Sequence, residues 1–267
     1  MKKLSFLFIF FTSSCTIAPH ISVTTPAASD NITVNGKLFT TVFQQRASEY
    51  RALCYQAYNI AHVRIDQLPP AKGNKPYAIM TDIDETVLSN AAYQAHQTLH
   101  GIDYDATSWY QWTSSANADT VPGALSFLKY ASSKGVKIFY VTNRDEKERE
   151  GTLKNLQKFN FPDAVNDHLL LKGEVSSKEN RKQQILTNHQ IVLLIGDNLN
   201  DLSIAFEKKY PDDRMRVTDS LSHQFGKTFI VLPNAVYGDW ENALYHYNRN
   251  LTPVQKDSIL RASLLSY

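Results

Sequence analysis

Tyr77-Ala78-Ile79-Met80-Thr81-Asp82-Ile83-Asp84-Glu85-Thr86 is the stretch that decides how this chain is read. The turn residues Lys72-Gly73-Asn74-Lys75 precede an apolar run from Tyr77 to Met80, which reads as a short buried strand. Asp82 and Asp84 follow at that strand's carboxyl end. Carboxylates placed there cannot be core residues unless something satisfies their charge, and a divalent cation would do so. Their spacing divides the labour of phosphoryl transfer. Asp82 can attack phosphorus as a carboxylate nucleophile. Asp84 can reach the leaving oxygen, protonate it and then activate water. Read alone, the stretch also fits a surface turn; what surrounds it decides.

Downstream, the chain alternates. Residues 136–141, 168–171, 191–195 and 228–232 are apolar runs that read as buried strands, with helical patterns near 122–133, 145–159, 177–187 and 200–208. Near-continuous apolar strands alternating with helices predict an α/β fold, a Rossmann-like parallel sheet with helices on both faces. Right-handed crossovers then collect the strands' carboxyl ends along one edge, where ligands bind in such folds. Residues 87–121 break the alternation: they hold Tyr93, Trp109, Tyr110 and Trp112 and no clear strand, which predicts a small, mainly helical cap inserted over that edge. Upstream, Phe39, Phe43, Tyr50, Cys54, Ala57, Ala61 and Ile65 recur at helical spacing, predicting one helix over 38–68 that stops at Pro69-Pro70.

Three more groups fall at strand ends or helix starts. Thr142-Asn143-Arg144 offers a hydroxyl and backbone N–H groups suited to phosphate oxygens, with Arg144 either a substrate contact or a salt-bridge partner. Ser176 and Glu179 have capping-box spacing, and Lys178 between them is poorly placed against the helix dipole unless an anion faces it. Gly196-Asp197-Asn198-Leu199-Asn200-Asp201 gives a second acidic pair. Magnesium takes about six oxygens. Asp82, Asp197 and the backbone carbonyl of Asp84 are its expected protein ligands, with Asp201 holding metal-bound water or orienting Lys178.

This order of motifs resembles the haloacid dehalogenase superfamily, and Asp82–Asn90, Thr142–Arg144, Ser176–Glu179, Gly196–Asp201 and Leu232-Pro233-Asn234 through Trp240 look like the class C acid phosphatases. The resemblance runs from about residue 38 to 260. It implies Asp82 as nucleophile, Asp84 as acid/base, Thr142 and Lys178 as phosphate ligands, and magnesium at Asp82, Asp84 and Asp197. It also implies a bacterial surface lipoprotein, often active on nucleoside 5'-monophosphates. Trp109 and Trp112, with Tyr237 opposite, could then clamp a nucleobase, each ring contributing about 1–3 kcal/mol by stacking; the alternative is that they fill the cap's core.

The amino terminus agrees with export. Lys2 and Lys3 precede an apolar run from Leu4 to Phe11 and small residues up to Cys15, the layout of a signal peptide over 1–15 with a lipidation site at Cys15. Cleavage after Ala18 is the alternative. Residues 16–36, rich in Ser, Thr, Ala and Pro, read as a linker to a phosphatase domain over 37–267. The expected location is the bacterial outer membrane or periplasm, by a lipid anchor.

Composition narrows the rest. A formal charge of +2 without a basic block excludes a nucleic-acid polymer as the expected partner, leaving a small phosphomonoester. The 8 histidines show no zinc spacing. A receiver domain uses similar parts but places its nucleophile alone on a later strand. A sugar-phosphate phosphatase, a phosphomutase, or a binding protein that lost activity are the remaining alternatives. If Asp84 must be protonated to act, turnover should favour mildly acidic solution.

Overall fold

The computed structural model describes residues 32–71, 73 and 75–267; the expected signal segment with Cys15, and residues 16–31 of the expected linker, lie outside the described residues. The first helix, α1 (Ile32–Arg46), begins inside the segment expected as linker. It is followed by α2 (Ser48–Asp66), so the single helix expected over 38–68 is two. The break falls at Ala47, whose ψ of 128° is extended rather than helical. No proline or glycine marks it, because the cause is tertiary: α1 packs on the cap and α2 on the sheet.

The strands β1 (Tyr77–Thr81), β4 (Lys137–Val141), β5 (Leu169–Leu170), β6 (Gln190–Gly196) and β7 (Phe229–Val231) form one sheet in the order β5-β4-β1-β6-β7. Every pairing in it is parallel. Both faces are buried, which is why these runs lack polar alternation. Ile79, Ile138, Leu193 and Ile195 point to one face, under α2 and α5 (Ala124–Ser133). Ala78, Met80, Phe139 and Leu194 point to the other, with Ile185 of α7 (Glu179–Asn188) and Leu202. His168 stacks on Phe139 there and His189 meets it edge-on, so both rings serve packing.

Because the sheet is parallel, Asp82, Thr142 and Asp197, each one residue beyond its strand, emerge at one edge. The chain runs outward from β1 to β4 and β5, then crosses back to β6 on the other side of β1. That reversal falls between β1 and β6, the usual ligand position in such sheets.

Between β1 and α5 lies the insertion: β2 (Leu88–Ser89), α3 (Ala91–Leu99), α4 (Ala106–Ser115) and β3 (Asp119–Thr120). It is mainly helical as expected, but β2 and β3 pair antiparallel and fasten its two ends together. Two residues per strand were too few to show as a pattern. α4 packs on α6 (Arg149–Lys158), where Gly151 lets the backbone of Thr113 come close.

The helix expected near 200–208 is replaced by two 3-10 turns, Leu199–Asp201 and Ile204–Phe206. The Asn198 and Ser203 side chains accept backbone N–H bonds from Asn200 and Ala205, a local alternative that competes with helix. α8 (Pro211–Ser220), α9 (Asp239–Leu244) and α10 (Pro253–Ala262) complete the described chain.

Candidate active site

The Asp82 backbone is fixed from both sides: its N–H donates to Ile195 O at 2.8 Å, and the Thr81 hydroxyl donates to its carbonyl at 2.9 Å. The chain then turns sharply. The N–H groups of Val87 and Leu88 both donate to Ile83 O at 2.8 Å, and Glu85 adopts a φ of +55°. A left-handed glutamate is strained, so surrounding contacts must over-determine it. They do: the buried Glu85 carboxylate accepts from Asn90 N at 2.6 Å, Asn90 Nδ2 at 3.0 Å, Gln44 Nε2 at 3.2 Å and the Tyr237 hydroxyl.

Asp82, Asp197 and Asp201 bring carboxylate oxygens within 4.8 Å of one another. The buried Lys178 ammonium pairs with Asp82, and with Asp201 Oδ1 at 2.7 Å. Asp197 accepts from Asn234 Nδ2 at 2.7 Å and from the Thr86 hydroxyl at 3.2 Å. Asp201 lies over Gly196, where an added Cβ would stand 2.5 Å from its side chain.

Three carboxylates against one ammonium leave this group under-neutralised. Burial, with the neighbouring charges of Asp201 and Asp82, pushes the Asp197 carboxyl well above its ordinary value. Burial also pushes Asp82 up, with Lys178 opposing and Asp201 and Asp84 adding to the rise. An all-oxygen donor set with surplus negative charge fits a hard divalent cation.

Asp84 faces another way. Arg144 grips its carboxylate, Nη2 donating at 2.7 Å and Nε at 3.2 Å, and Asn90 Nδ2 donates at 2.9 Å. Burial would raise this carboxyl, but the Arg144 charge, the hydrogen bonds from Arg144 and Asn90 and the Lys178 charge together hold Asp84 below the usual range. The Thr142 hydroxyl lies 3.4 Å from Asp84 Oδ2. The acidic residues are thus sorted by neighbours into a metal-type trio and a separately held acid/base candidate.

Several expected contacts are corrected. Arg144 is the salt-bridge partner of Asp84: Nε and Nη2 donate to its carboxylate, and Nη1 donates to Thr152 Oγ1 at 3.0 Å. Asn143 carries its side-chain oxygen 2.8 Å from Arg181 Nη2. Ser176 and Glu179 form no capping box; Lys178 is the N-cap residue of α7, the Ser177 hydroxyl accepts from Glu179 N, and the Glu179 carboxylate pairs with Lys182. Trp112 is half-buried and donates its indole N–H to Asn90 Oδ1 at 2.8 Å, which fastens the cap base. Trp109 meets Tyr93 edge-on and lies 5.7 Å under the Arg144 guanidinium, one side chain removed from Asp84. Tyr237 reaches the same neighbourhood through Glu85.

Sequence reasoning missed the roles of Glu85, Asn90, Asn234 and Arg181. The first three lie inside the motifs already quoted, but only their spatial partners separate them from ordinary loop residues.

The family profile of the HAD superfamily, subfamily IIIB (Acid phosphatase), matches residues 13–240. The structure of the Class C acid phosphatase from Bacillus anthracis superposes with a TM-score of 0.84 at 38% identity, covering 88% of this chain and 99% of that one. The same enzyme with tungstate bound gives a TM-score of 0.85, covering 89% and 99%. By sequence, Acid phosphatase 1 of Solanum lycopersicum is 28% identical over 45% of this chain and 50% of its own length. The Class B acid phosphatase of Rahnella sp. (strain Y9602) is 29% identical over 50% of this chain and 60% of its own length. The chain therefore spans about half the length of the curated relatives it matches.

Proposed function

This chain belongs to the HAD superfamily, subfamily IIIB, the acid phosphatases, and from that premise we propose that it is a magnesium-dependent phosphomonoesterase acting on nucleoside 5'-monophosphates through an aspartyl-phosphate at Asp82. The observation that carries the reading is the convergence of Asp82, Asp197 and Asp201 around Lys178 at one edge of the parallel sheet.

Asp82 Oδ attacks phosphorus, the bond from phosphorus to the ester oxygen breaks, and Asp84 gives a proton to the departing alkoxide; because its carboxyl sits below the usual range, its protonated fraction grows as pH falls and turnover favours acidic solution. Water then attacks the acyl phosphate and yields a proton to Asp84, the bond to Asp82 breaks, and phosphate leaves. Lys178 and Thr142 hold the phosphoryl oxygens. A divalent cation held by Asp82, Asp197 and the Asp84 carbonyl, with Asp201 as an outer partner, would neutralise charge on the group being transferred. Tungstate, an oxyanion like phosphate, is bound by the Bacillus anthracis relative and supports an oxyanion site here.

Trp109 and Tyr237, which approach Asp84 through Arg144 and through Glu85 respectively, support a preference for nucleotides. The test is phosphate release from nucleoside 5'-monophosphates, sugar phosphates and an aryl phosphate, with magnesium and with chelator. Fastest release with nucleotides and loss in chelator supports the reading. Equal rates across all esters removes the nucleotide preference, and release unaffected by chelator removes the metal.

We extend the reading to location. Residues 1–15 serve as an export signal and Cys15 as a lipid attachment point, which would put phosphate removal outside the cell, where a nucleoside crosses membranes more readily than its charged ester. Among the described residues no helix is long and apolar enough to cross a membrane. Mass spectrometry of the mature protein decides: an acylated Cys15 supports the anchor, and an unmodified start beyond it rejects it.

A further inference from the structure

Arg181 lies in the first turn of α7, buried, three residues after Lys178. Its guanidinium makes five hydrogen bonds among the described residues, all to uncharged oxygens. Nη1 donates to Thr142 O at 2.5 Å and to Leu170 O at 3.5 Å. Nη2 donates to Asn143 Oδ1 at 2.8 Å, and to Ser176 O and Ser177 O at 3.1 Å each. One planar fork therefore joins the end of β4, the end of β5 and the loop that delivers Lys178.

Burying a cation whose hydrogen bonds all go to neutral oxygens is unfavourable, and burial lowers the Arg181 pKa against the opposing charges of Asp82 and Asp201. A helix's first turn is a further unfavourable place for positive charge, yet this one holds Arg181 beside Lys178. An apolar side chain would satisfy packing here at lower cost. What it would not do is hold two loops at one fixed separation, because only a guanidinium presents a rigid fan of donors. The loops it joins carry Thr142 and Lys178, the two groups assigned to the phosphoryl oxygens. Leu170 O already receives Thr142 N at 3.0 Å, so the same carbonyl is shared by the strand pairing and the fork.

We propose that Arg181 is a positioning residue for phosphoryl transfer: its fork sets the distance between the Thr142 hydroxyl and the Lys178 ammonium without touching substrate. This rests on the phosphatase reading of the site. The binding and turnover of phosphate compounds should therefore depend on the fork's shape, and on charge alone only weakly.

The experiment is a double-mutant cycle in the full chain, comparing wild type, Arg181→Met, Arg181→Lys, Thr142→Val and the Arg181→Met/Thr142→Val pair. kcat/KM is measured with an aryl phosphate, and the affinity for inorganic phosphate by competitive inhibition. Displacing groups by about an ångström costs about 100-fold in rate, so Arg181→Met and Arg181→Lys should each lose about that factor, with weaker phosphate binding. In the Thr142→Val background the further loss should shrink to about 5-fold or less, since the residues act as one unit. Should Arg181→Met fail to fold, Arg181→Lys, which keeps the charge, carries the same cycle. Folded variants within about 3-fold of wild type overturn the proposal. So does full activity in Arg181→Lys, or an equal loss in both backgrounds, which would mark general structural damage. If the wild type neither turns over the ester nor binds phosphate, it is the phosphatase reading that fails.

Discussion

At the scale of single residues, environment divides four aspartates that are chemically alike. Asp82, Asp197 and Asp201 converge and share Lys178, whereas Asp84 is turned to Arg144. Two consequences can be measured. Magnesium should raise the melting temperature of the wild type at neutral pH, because it relieves like-charge repulsion among buried carboxylates. Asp197→Asn should remove most of that rise while itself melting no lower than wild type in chelator. Gly196→Ala should cut kcat/KM about 100-fold with the fold retained by circular dichroism, because the new methyl would stand 2.5 Å from Asp201. The acidic pairs, Thr142 and Lys178 were legible in the sequence because each follows an apolar strand or opens a helix. Arg144's partner was not, since the sequence does not say which of two nearby acids a guanidinium meets across 60 positions.

At the scale of elements, the sheet was readable because burial on both faces leaves long apolar runs, and all five strands expected are present within two residues at each end. What failed depended on distant contacts or on side chains competing with backbone. The break at Ala47 has no local breaker, and the 3-10 turns after β6 arise from Asn198 and Ser203. The capping box of Ser176 and Glu179 was displaced because α7 starts later than its polar residues suggest. The α4–α6 contact gives a further prediction. A Cβ on Gly151 would lie 2.4 Å from Thr113 O, a backbone atom that cannot yield easily. Gly151→Ala should destabilise the protein by about 1–3 kcal/mol, read as a shifted denaturant midpoint, and activity should fall as the cap is displaced.

At the scale of the whole molecule, one ionic cluster ties the cap to both ends of the described chain. Asp103, between α3 and α4, pairs with Lys37 of α1 at 2.8 Å and Lys256 of α10 at 3.5 Å, and Glu241 of α9 lies 3.6 Å from Lys37. Burial opposes the Asp103 charge, but the charge and hydrogen bond of Lys37, the Tyr104 N–H and the Lys256 charge together hold the carboxyl below its ordinary value. The unfolded chain then binds the extra proton, so this stabilisation is present above about pH 3.9, the free aspartate value, and lost as pH falls through the folded one. Glu241, pushed up by burial, acts in the opposite sense, its contribution weakening as pH rises. Asp103→Asn should therefore lower the melting temperature at pH 6 and flatten its fall below about pH 4; an unchanged acid limb would assign that fall to other carboxylates.

The central claim is that Asp82 carries the phosphoryl group. The direct measurement is a single turnover of a labelled aryl phosphate, whose leaving group departs without a proton from Asp84, quenched in acid and followed by peptide mass spectrometry, in Asp84→Asn, where the second step should be slow. Label on the peptide containing Asp82, absent when Asp82→Asn is added, is the result expected. Phosphate release that proceeds with no label on Asp82, or that survives Asp82→Asn, would contradict the account.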